Sequence, residues 1–366
     1  MKVMSVMLLV ILFFCVDLGA INRPLKILHM SFHEGCIKDI EEVGRSLGFQ
    51  ITPWLIQRDR SRLEYDGETK LTNDIYNITQ ERAEKIWRLN KDYFDQFDLI
   101  MTSDTAPLSR IFLQNGWNKP LIIWICNRFD YADGASAIGS FPDEAYYDLF
   151  RKALKMANVR IVSYTRYEHV HARRKGVEVG NLTINPVGRL ARPFDERNSA
   201  IPNHINKSDH FFLYPRLETQ TEVDLVRTVC STLGIKVYHG TYNGPEDLTG
   251  FRGVIYFPYA WSNLALFENL QQGIVHFVPS EKFIQSVVGQ MRVLTTTDFE
   301  LCDWWSPEFR DYLVYFDSFI DMKHKIEATD YIELKTKILH AGLAHRAEML
   351  ERWQKVFDEL LTATCS

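Results

Sequence analysis

The chain has 366 residues, of which 46% are hydrophobic and 24% are charged, and its formal net charge is -5 with an isoelectric point near 6.1. A chain of this length and apolar content can bury a large core and usually divides into two domains. The slight acidic excess argues against nucleic acid or an anionic membrane surface as the main partner, because both select a basic protein surface.

The first twenty residues differ from the rest of the chain. Lys2 precedes an apolar stretch, Val3–Val16, and small residues follow up to Ala20. This pattern predicts a signal peptide over 1–20, or a short signal anchor. Cleavage is favoured because the apolar run is shorter than the roughly 20 residues that span a bilayer. No other stretch of the sequence predicts a membrane span.

Sequons and cysteines fit a protein of the secretory pathway that no disulfide framework holds together. Acceptor asparagines for N-glycosylation occur at Asn77, Asn181 and Asn206. They favour the lumen of the endoplasmic reticulum or Golgi, or secretion. The mature chain keeps an odd number of cysteines without CxxC spacing: Cys36, Cys126, Cys230, Cys302 and Cys365. At least one thiol is therefore unpaired within the chain.

Short apolar runs alternate with amphipathic stretches through the first half of the chain. The predicted strands are LKILHMS, FQITPWLI, DLIMTS, PLIIWIC and VRIVSYT. The predicted helices between and after them are HEGCIKDIEEVGRSLG, TQERAEKIWRLNKDYFDQF, APLSRIFLQNGW, DEAYYDLFRKALKMA and RYEHVHARRKGV, and a polar insertion occupies 57–78. Continuous apolar strands between helices are typical of a parallel sheet covered on both faces. We expect a Rossmann-like domain over 21–190.

The same pattern restarts after a polar segment, 191–209, which we interpret as a linker. The strands HFFLYP, IKVYHG, GVIYFPY and IVHFVPS and the helices TQTEVDLVRTVCSTLG and EKFIQSVVG predict a second Rossmann-like domain over 210–330. An amphipathic helical segment, 331–366, could pack across both domains. The sequence thus predicts an α/β protein with two doubly wound parallel sheets, whose carboxyl ends face a cleft.

The stretch YFPYAWSNLALFENLQQGIVHFVPS raises the question of why Glu268 lies within an apolar helix. A carboxylate in such a place is usually solvated, paired or holding a ligand. Unpaired backbone amides of Ser262, Asn263 and Leu264 at the helix start could receive phosphate oxygens. Glu268 could then accept hydrogen bonds from two vicinal ribose hydroxyls. The other interpretation is a half-exposed structural carboxylate.

This region resembles the donor half of GT-B fold glycosyltransferases that use nucleotide-sugars, over about 140 residues. The resemblance places Glu268 on the ribose-binding Glu of the family, Gly273 on its Gly, and Arg216 of YPRLETQ on the Arg that neutralises the diphosphate. Two departures stand out: the first Glu of the family pattern is Ala260, and the Lys that follows the family Arg is not apparent. The first half of the chain matches the family only in architecture.

The loop SFHEGC puts His33 and Glu34 at the carboxyl end of the first strand, facing the expected cleft. An imidazole with an unperturbed pKa of roughly 6.5 is suited to deprotonate an acceptor hydroxyl. The resemblance to inverting GT-B enzymes implies that His33 is the base and that Asp104, in TSDTAPLS, orients it. An ordinary polar residue at a strand end is the alternative for His33.

Asn127, Arg128 and Asp130 follow a buried strand directly, where functional loops of such sheets gather. Arg128 could hold an anionic acceptor or the leaving diphosphate, or form a structural pair with Asp130. Charged residues on the helix RYEHVHARRKGV predict a solvated face. The sequence carries no Asp-x-Asp, P-loop or GxGxxG pattern, so we expect no metal requirement. Trp304 and Trp305 are expected in the core, with stacking on a sugar or base as the alternative.

Together these features predict an enzyme that transfers a sugar from a UDP- or GDP-linked donor to a hydroxyl of a glycan, glycoprotein or glycolipid. No cofactor is expected beyond this co-substrate. Two alternatives stay open from the residues alone. One is a non-catalytic secreted binding protein with two lobes, and the other is a hydrolase or epimerase that acts on nucleotide-sugars.

Overall fold

This computed structural model describes residues 25–59, 78–127, 129–130, 144–190, 199–202, 205–214 and 219–365. They form two parallel sheets of five strands each, with helices on the faces. The predicted fold class, two doubly wound parallel-sheet domains and a long C-terminal helix, is confirmed. The predicted leader 1–20, the sequon residue Asn77 and most of the predicted linker lie outside the described residues.

The first sheet has the order β2-β1-β3-β4-β5. Its strands are β1 (Lys26–Ser31), β2 (Gln50–Leu55), β3 (Leu99–Thr105), β4 (Leu121–Asn127) and β5 (Val159–Ser163). Its helices are α1 (Glu34–Leu47), α2 (Gln80–Phe94), α3 (Arg110–Leu113), α4 (Glu144–Ala153) and α5 (Arg166–Arg174). All residues of β3 are buried, as expected for an inner strand covered on both faces. Pro53, which has no N–H for a ladder, lies on the edge strand β2.

The second sheet has the order β10-β9-β8-β6-β7. Its strands are β6 (Phe211–Leu213), β7 (Val237–His239), β8 (Gly253–Ile255), β9 (His276–Pro279) and β10 (Leu313–Phe316). Its helices are α6 (Gln220–Thr232), α7 (Pro245–Leu248), α8 (Leu264–Leu270), α9 (Glu281–Val287) and α10 (Phe319–Ala328). Counted from its own first strand, this sheet repeats the 2-1-3-4-5 order of the first.

Local sequence sets the ends of helices in both domains. α1 begins after His33, whose side chain caps it, and ends at Gly48 in the left-handed conformation with φ 79°. α6 begins with a capping box in which Thr219 and Glu222 exchange side-chain and backbone hydrogen bonds. The unpaired amides of both helix starts are thereby partly satisfied within the chain.

The C-terminal helix α11 (Tyr331–Cys365) packs on both domains, against α1 in the first and α8 in the second. Two glycines permit the close approach of α8 and α11. A Cβ on Gly273, which has φ 64°, would lie 2.7 Å from the carbonyl oxygen of Lys335. A Cβ on Gly342 would collide with the backbone of Leu270. The position that the resemblance assigned to the family Gly is therefore occupied by glycine for a packing reason.

Three further expectations concern local structure. The predicted helix APLSRIFLQNGW is wrong in extent, because a 3₁₀ turn over Ala106–Ser109 precedes the four-residue α3; Pro107 supplies no N–H there. Strand β10 was not expected from the aromatic segment that contains it. The core placement of Trp304 and Trp305 is confirmed, since both are 1% exposed. Within the described residues no helix is both long and apolar enough to cross a bilayer.

Candidate functional site

Both sheets direct their carboxyl ends at the space between the domains. In a sheet of order 2-1-3-4-5 the winding direction reverses between the first and third strands, and ligands bind in the crevice outside that point. His33 follows β1 and Asp104 lies near the end of β3, so both flank this point in the first sheet. Tyr214 follows β6 and Tyr259 follows β8, so they flank the equivalent point in the second.

A cavity of about 430 Å³ lies between these two points, and we call it the first cavity. Residues of both domains line it, and six of them are predicted site residues: His33, Asp104, Asn127, Ser262, Asn263 and Leu264. Ala260, which stands where the family has its first Glu, also lines this cavity. The structure thus brings together the residues predicted separately for the acceptor half and the donor half.

A second cavity of about 310 Å³ adjoins the first, and Leu264 lines both. It is lined by residues of α1, of the crossover between the domains, of the loop before α7 and of α8. Its polar residues include Glu34, Lys38, Asp39, Arg189, Tyr242 and Glu268. The hydroxyls of Tyr214, in the first cavity, and Tyr242, in the second, are 2.7 Å apart. The two cavities are therefore neighbouring compartments of one interdomain cleft.

Glu268 lies near the end of α8, half-buried, and lines the second cavity. Burial raises the pKa of its carboxyl group above the ordinary value, while the charge and the backbone N–H of Arg189 act in the opposite direction. The acid in the apolar stretch is thus directed at a space shared by both domains, with a cation beside it. Its ribose-binding role stays a prediction.

His33 is exposed at the wall of the first cavity and is fixed by the start of α1. Its Nδ1 accepts the backbone N–H of Gly35 at 3.1 Å, which places the proton of the neutral ring on Nε2. Removal of a proton from an acceptor by Nε2 needs the other tautomer, with the proton on Nδ1. A base role for His33 therefore requires the ring to release Gly35 and to find an acceptor for Nδ1–H.

Asp104 supplies a carboxyl group close to that imidazole. It is 9% exposed and has a left-handed backbone with φ 70°, at a point where the pairing of β3 with β4 shifts register. Asp tolerates this conformation better than most residues, at a small energetic cost. Burial, followed by the neighbouring Cys36, raises its pKa to about 8, and His33 acts in the opposite direction. Asp104 and His33 are thus electrostatically coupled across the cavity.

Asn263 stabilises the local structure at the start of α8. It is the N-cap of the seven-residue helix α8, and its Oδ1 accepts the N–H of Ala265 at 2.9 Å. Its amide nitrogen donates to the hydroxyls of Tyr256 and Tyr259, at 3.2 and 3.3 Å. The predicted phosphate contacts of the Ser262–Leu264 amides stay a prediction, with these residues placed at the cavity wall.

Several predicted site residues lie elsewhere in the cleft or outside the described residues. Asp130 accepts a hydrogen bond from Nε2 of His171 at 2.6 Å and lines neither cavity. Glu34 lines the second cavity and pairs with Lys38 at 3.0 Å and Arg58 at 2.8 Å. Arg128 and Arg216 lie outside the described residues, so their predicted contacts with an anion stay predictions.

Sequence reasoning missed residues that line the first cavity. Glu168 was expected on a solvated helix face, which is wrong, because it is 3% exposed and lines the cavity. Cys36 and Cys126 also line it, one in the first turn of α1 and one near the end of β4. Their place at strand ends and helix starts was a signal in the sequence. The sequence does not indicate which face of a helix such as α5 points into the cleft.

The cations of the described cleft lie in the second cavity. Lys38 is on α1, and Arg189 is in the crossover and binds Glu246 at 2.8 Å. No Lys or Arg is among the described residues that line the first cavity. In the described part of the chain, no three His, Cys, Asp or Glu side chains converge as metal ligands would. An anionic ligand would therefore meet its opposite charges in the second compartment.

Contacts across the cleft hold the domains together beside the first cavity. The ring of Tyr167 on α5 stacks on that of Trp261, with centroids 3.4 Å apart. Arg174 of the first domain forms two hydrogen bonds with Asp298 of the second, at 2.8 and 3.0 Å. The cleft is thus closed along one side by an aromatic stack and a bidentate ion pair.

No protein-family model and no curated protein sequence matches the chain. Among solved structures it is similar to the calicheamicin glycosyltransferase CalG4, with 11% identity, 91% of this chain and 98% of that chain covered, and a TM-score of 0.47. It is similar to a putative UDP-N-acetylglucosamine 2-epimerase from Listeria monocytogenes, with 9% identity, coverage of 92% and 98%, and a TM-score of 0.48. The glycosyltransferase SnogD from Streptomyces nogalater gives 9% identity, coverage of 91% and 99%, and a TM-score of 0.46.

The likeness to GT-B structures is one of fold. At these identities and TM-scores it carries no conclusion about substrate or reaction, and the functional argument rests on the cleft itself.

Proposed function

We propose that the protein is a glycosyltransferase that moves a sugar from a nucleotide-diphosphate sugar to a hydroxyl group of a glycan, glycoprotein or glycolipid. One observation carries the proposal: the predicted acceptor residues His33 and Asp104 and the predicted donor stretch 262–268 meet at two adjoining cavities. Both cavities lie at the carboxyl ends of doubly wound sheets, where such sheets bind ligands. Their volumes suit a small-molecule site of about 300–1,000 Å³.

In this proposal the nucleotide occupies the second cavity. Glu268 accepts hydrogen bonds from the ribose hydroxyls of a UDP- or GDP-linked donor. Lys38 and Arg189, which line the same cavity, offset the charge of the diphosphate. Arg216 and the amides of Ser262–Leu264 are the further predicted phosphate contacts. The sugar then projects past Leu264 into the first cavity.

The first cavity holds the groups for the transfer step. His33 takes the proton of the acceptor hydroxyl, whose oxygen forms a bond with the anomeric carbon of the sugar. The bond between that carbon and the diphosphate oxygen breaks, and the diphosphate leaves with the electron pair. The ionised form of Asp104, which a pKa of about 8 makes the minor form at pH 7, stabilises the imidazolium, because a carboxylate near a cation favours its charged form. Stabilisation of the leaving diphosphate by fixed cations is the main electrostatic contribution.

We further propose that the reaction needs no metal ion and takes place in the secretory pathway lumen or outside the cell. The cations and amides just described provide opposite charge for the diphosphate. The predicted leader 1–20 and the sequons at Asn77, Asn181 and Asn206 support the compartment. Chelation by EDTA should leave the rate unchanged, whereas a rate restored only by added Mn²⁺ or Mg²⁺ would contradict metal independence.

The test is product analysis with purified protein from residue 21 onward, supplied with UDP- and GDP-sugars with and without hydroxyl acceptors. Acceptor-dependent formation of a glycoside supports the proposal. Release of free sugar at the same rate without acceptor would assign a hydrolase instead, and conversion of the donor into an isomeric nucleotide-sugar would assign an epimerase. Binding of none of these donors would favour a non-catalytic binding protein.

A further inference from the structure

Two thiols lie side by side in the first cavity, and the transferase mechanism uses neither. Cys36 is in the first turn of α1, three residues after the capping His33, and Cys126 is near the carboxyl end of β4. Both line the first cavity, and both are free thiols. The two side chains lie close enough to change each other's acidity. Residues 90 positions apart in the sequence are thus juxtaposed by the packing of α1 on the sheet.

The surroundings make the two sulfurs chemically different. The Sγ of Cys36 is 4.0 Å from Nδ1 of His33 and lies at the start of a helix of 14 residues. The thiol of Cys126 donates to the carbonyl oxygen of Trp124 at 3.5 Å. A helix start favours a thiolate, and so does a neighbouring imidazole once it has taken up the proton of the thiol, whereas a thiol that donates to a carbonyl stays protonated.

The acidities agree with this geometry. The neighbouring Cys126 is the largest cause that brings the pKa of Cys36 to about 6; His33 and Ser103 lower this pKa as well, and burial opposes them. Burial, followed by the interaction with Cys36, raises the pKa of Cys126 well above its ordinary value. A reactive thiolate beside a protonated thiol is the arrangement of an oxidation-sensitive cysteine with its resolving partner.

We propose that Cys36 and Cys126 form a two-thiol modification site that takes a hydroperoxide at the Cys36 sulfur and then closes to a disulfide. This chemistry is separate from sugar transfer and does not depend on it. Cys36 is only 3% exposed, but it lines the cavity of about 430 Å³, and the hydroperoxide reaches the sulfur through that cavity.

The Cys36 thiolate attacks the distal oxygen of the hydroperoxide, so an S–O bond forms and the O–O bond breaks. Cys36 is oxidised to a sulfenic acid. The peroxide is reduced to an alkoxide or hydroxide, which leaves and takes up a proton. The sulfur of Cys126 then attacks the sulfenic sulfur. An S–S bond forms, the S–O bond breaks, and the hydroxide leaves as water with the proton of Cys126.

The test treats the purified reduced protein with hydrogen peroxide and maps its peptides by mass spectrometry without reduction. We expect a loss of two hydrogens and one disulfide-linked peptide pair, containing Cys36 and Cys126. Cys230 and Cys302 are the internal controls, because both are buried free thiols whose pKa burial raises. They should stay reduced. A Cys36 that stays reduced, or a disulfide with any other cysteine, would overturn the proposal.

A matched variant and a second measurement keep the test independent of folding defects. Cys126→Ser should stop the reaction at the sulfenic acid, which dimedone traps at Cys36, and Cys36→Ser should abolish both adduct and disulfide. In the wild-type protein at pH 7, iodoacetamide should alkylate Cys36 at least about tenfold faster than Cys302. The reason is that mainly the thiolate form of a cysteine reacts, and Cys36 has the larger thiolate fraction. Equal alkylation rates for the two would refute the assignment of Cys36 as the reactive thiol.

Discussion

Arg346 ties the C-terminal helix to the first domain and to the crossover between the domains. It is 6% exposed; its Nη2 donates to Glu42 at 2.5 Å and to Ser46 at 3.0 Å. Its Nη1 donates to the carbonyl oxygens of Gly188, at 2.5 Å, and Val187, at 3.3 Å. Replacement by Met keeps the length of the side chain and removes all of these donors. The substitution therefore isolates the ion pair and its hydrogen bonds.

Removal of one partner of a buried ion pair costs about 3–5 kcal/mol, because the other charge stays buried and uncompensated. Arg45 also contacts Glu42 and is largely exposed, so it retains part of the compensation. We therefore expect Arg346→Met to lower the free energy of unfolding by about 3 kcal/mol, at the lower end of that range.

The assay is urea unfolding at neutral pH, followed by tryptophan fluorescence. Arg352→Met is the matched control on the same helix: Arg352 is 43% exposed, and it binds Glu348 and the carbonyl oxygen of Thr183. Its loss should cost less than about 1 kcal/mol. Addition of Glu42→Gln to Arg346→Met should recover part of the loss, since no buried charge then remains unpaired. Equal effects of the two arginine substitutions would refute the reasoning.

Three further predictions concern the cleft and its supports. His33→Asn keeps an N-cap for α1 but removes the proposed base, so kcat should fall about 10²–10⁴-fold with donor affinity retained; unchanged turnover would exclude the base role. Gly188→Ala should lower the free energy of unfolding, measured by heat or urea, by at least about 2 kcal/mol and by more than Gly116→Ala does. Both glycines have positive φ, but a Cβ at position 188 would lie 2.6 Å from Nε2 of Gln271, whereas a Cβ at position 116 would meet open space. Equal losses of stability for the two substitutions would contradict this reasoning. Burial lowers the pKa of His345 to about 4, below its unfolded value of roughly 6.5, so the unfolded state binds the extra proton and the folded state loses stability as pH falls between these two values. Relative to His345→Phe, the wild type should lose roughly 2–3 kcal/mol of unfolding free energy between pH 7 and 4.5. A difference that does not change with pH would show that the ring is not buried as neutral imidazole.

The alternation of apolar strands and amphipathic helices was enough to predict both sheets, because parallel strands that are buried on both faces need nearly continuous apolar sequence. The sequence pattern did not predict strand β10, because its four residues, Leu313–Phe316, lie within an aromatic segment of the core. The 3₁₀ turn before α3 was missed because helical periodicity over APLSRIFLQNGW conceals the effect of Pro107. Periodicity specifies a type of element better than its exact ends.

The site was partly predictable for the same reason. His33, Asp104 and Asn127 lie at the carboxyl ends of strands, which is where doubly wound parallel sheets bind their ligands. Glu168 could not be found in this way, because its burial depends on how α5 packs beside the cleft. The neighbouring positions of Cys36 and Cys126 depend on the packing of α1 against the sheet, which local sequence does not encode. Contacts over long sequence separation need the structure.

Binding of nucleoside diphosphates to the second cavity tests the central claim most directly. The measurement is a calorimetric titration of UDP and GDP into the protein from residue 21 onward, into Glu268→Gln, and into Glu300→Gln as an exposed carboxylate of the same domain. Hydrogen bonds to a charged group contribute about 1.5–3 kcal/mol. We predict that one nucleotide binds the wild type and Glu300→Gln equally and binds Glu268→Gln about 10- to 100-fold more weakly. No binding of either nucleotide at millimolar concentration, or equal binding to all three proteins, would contradict the account.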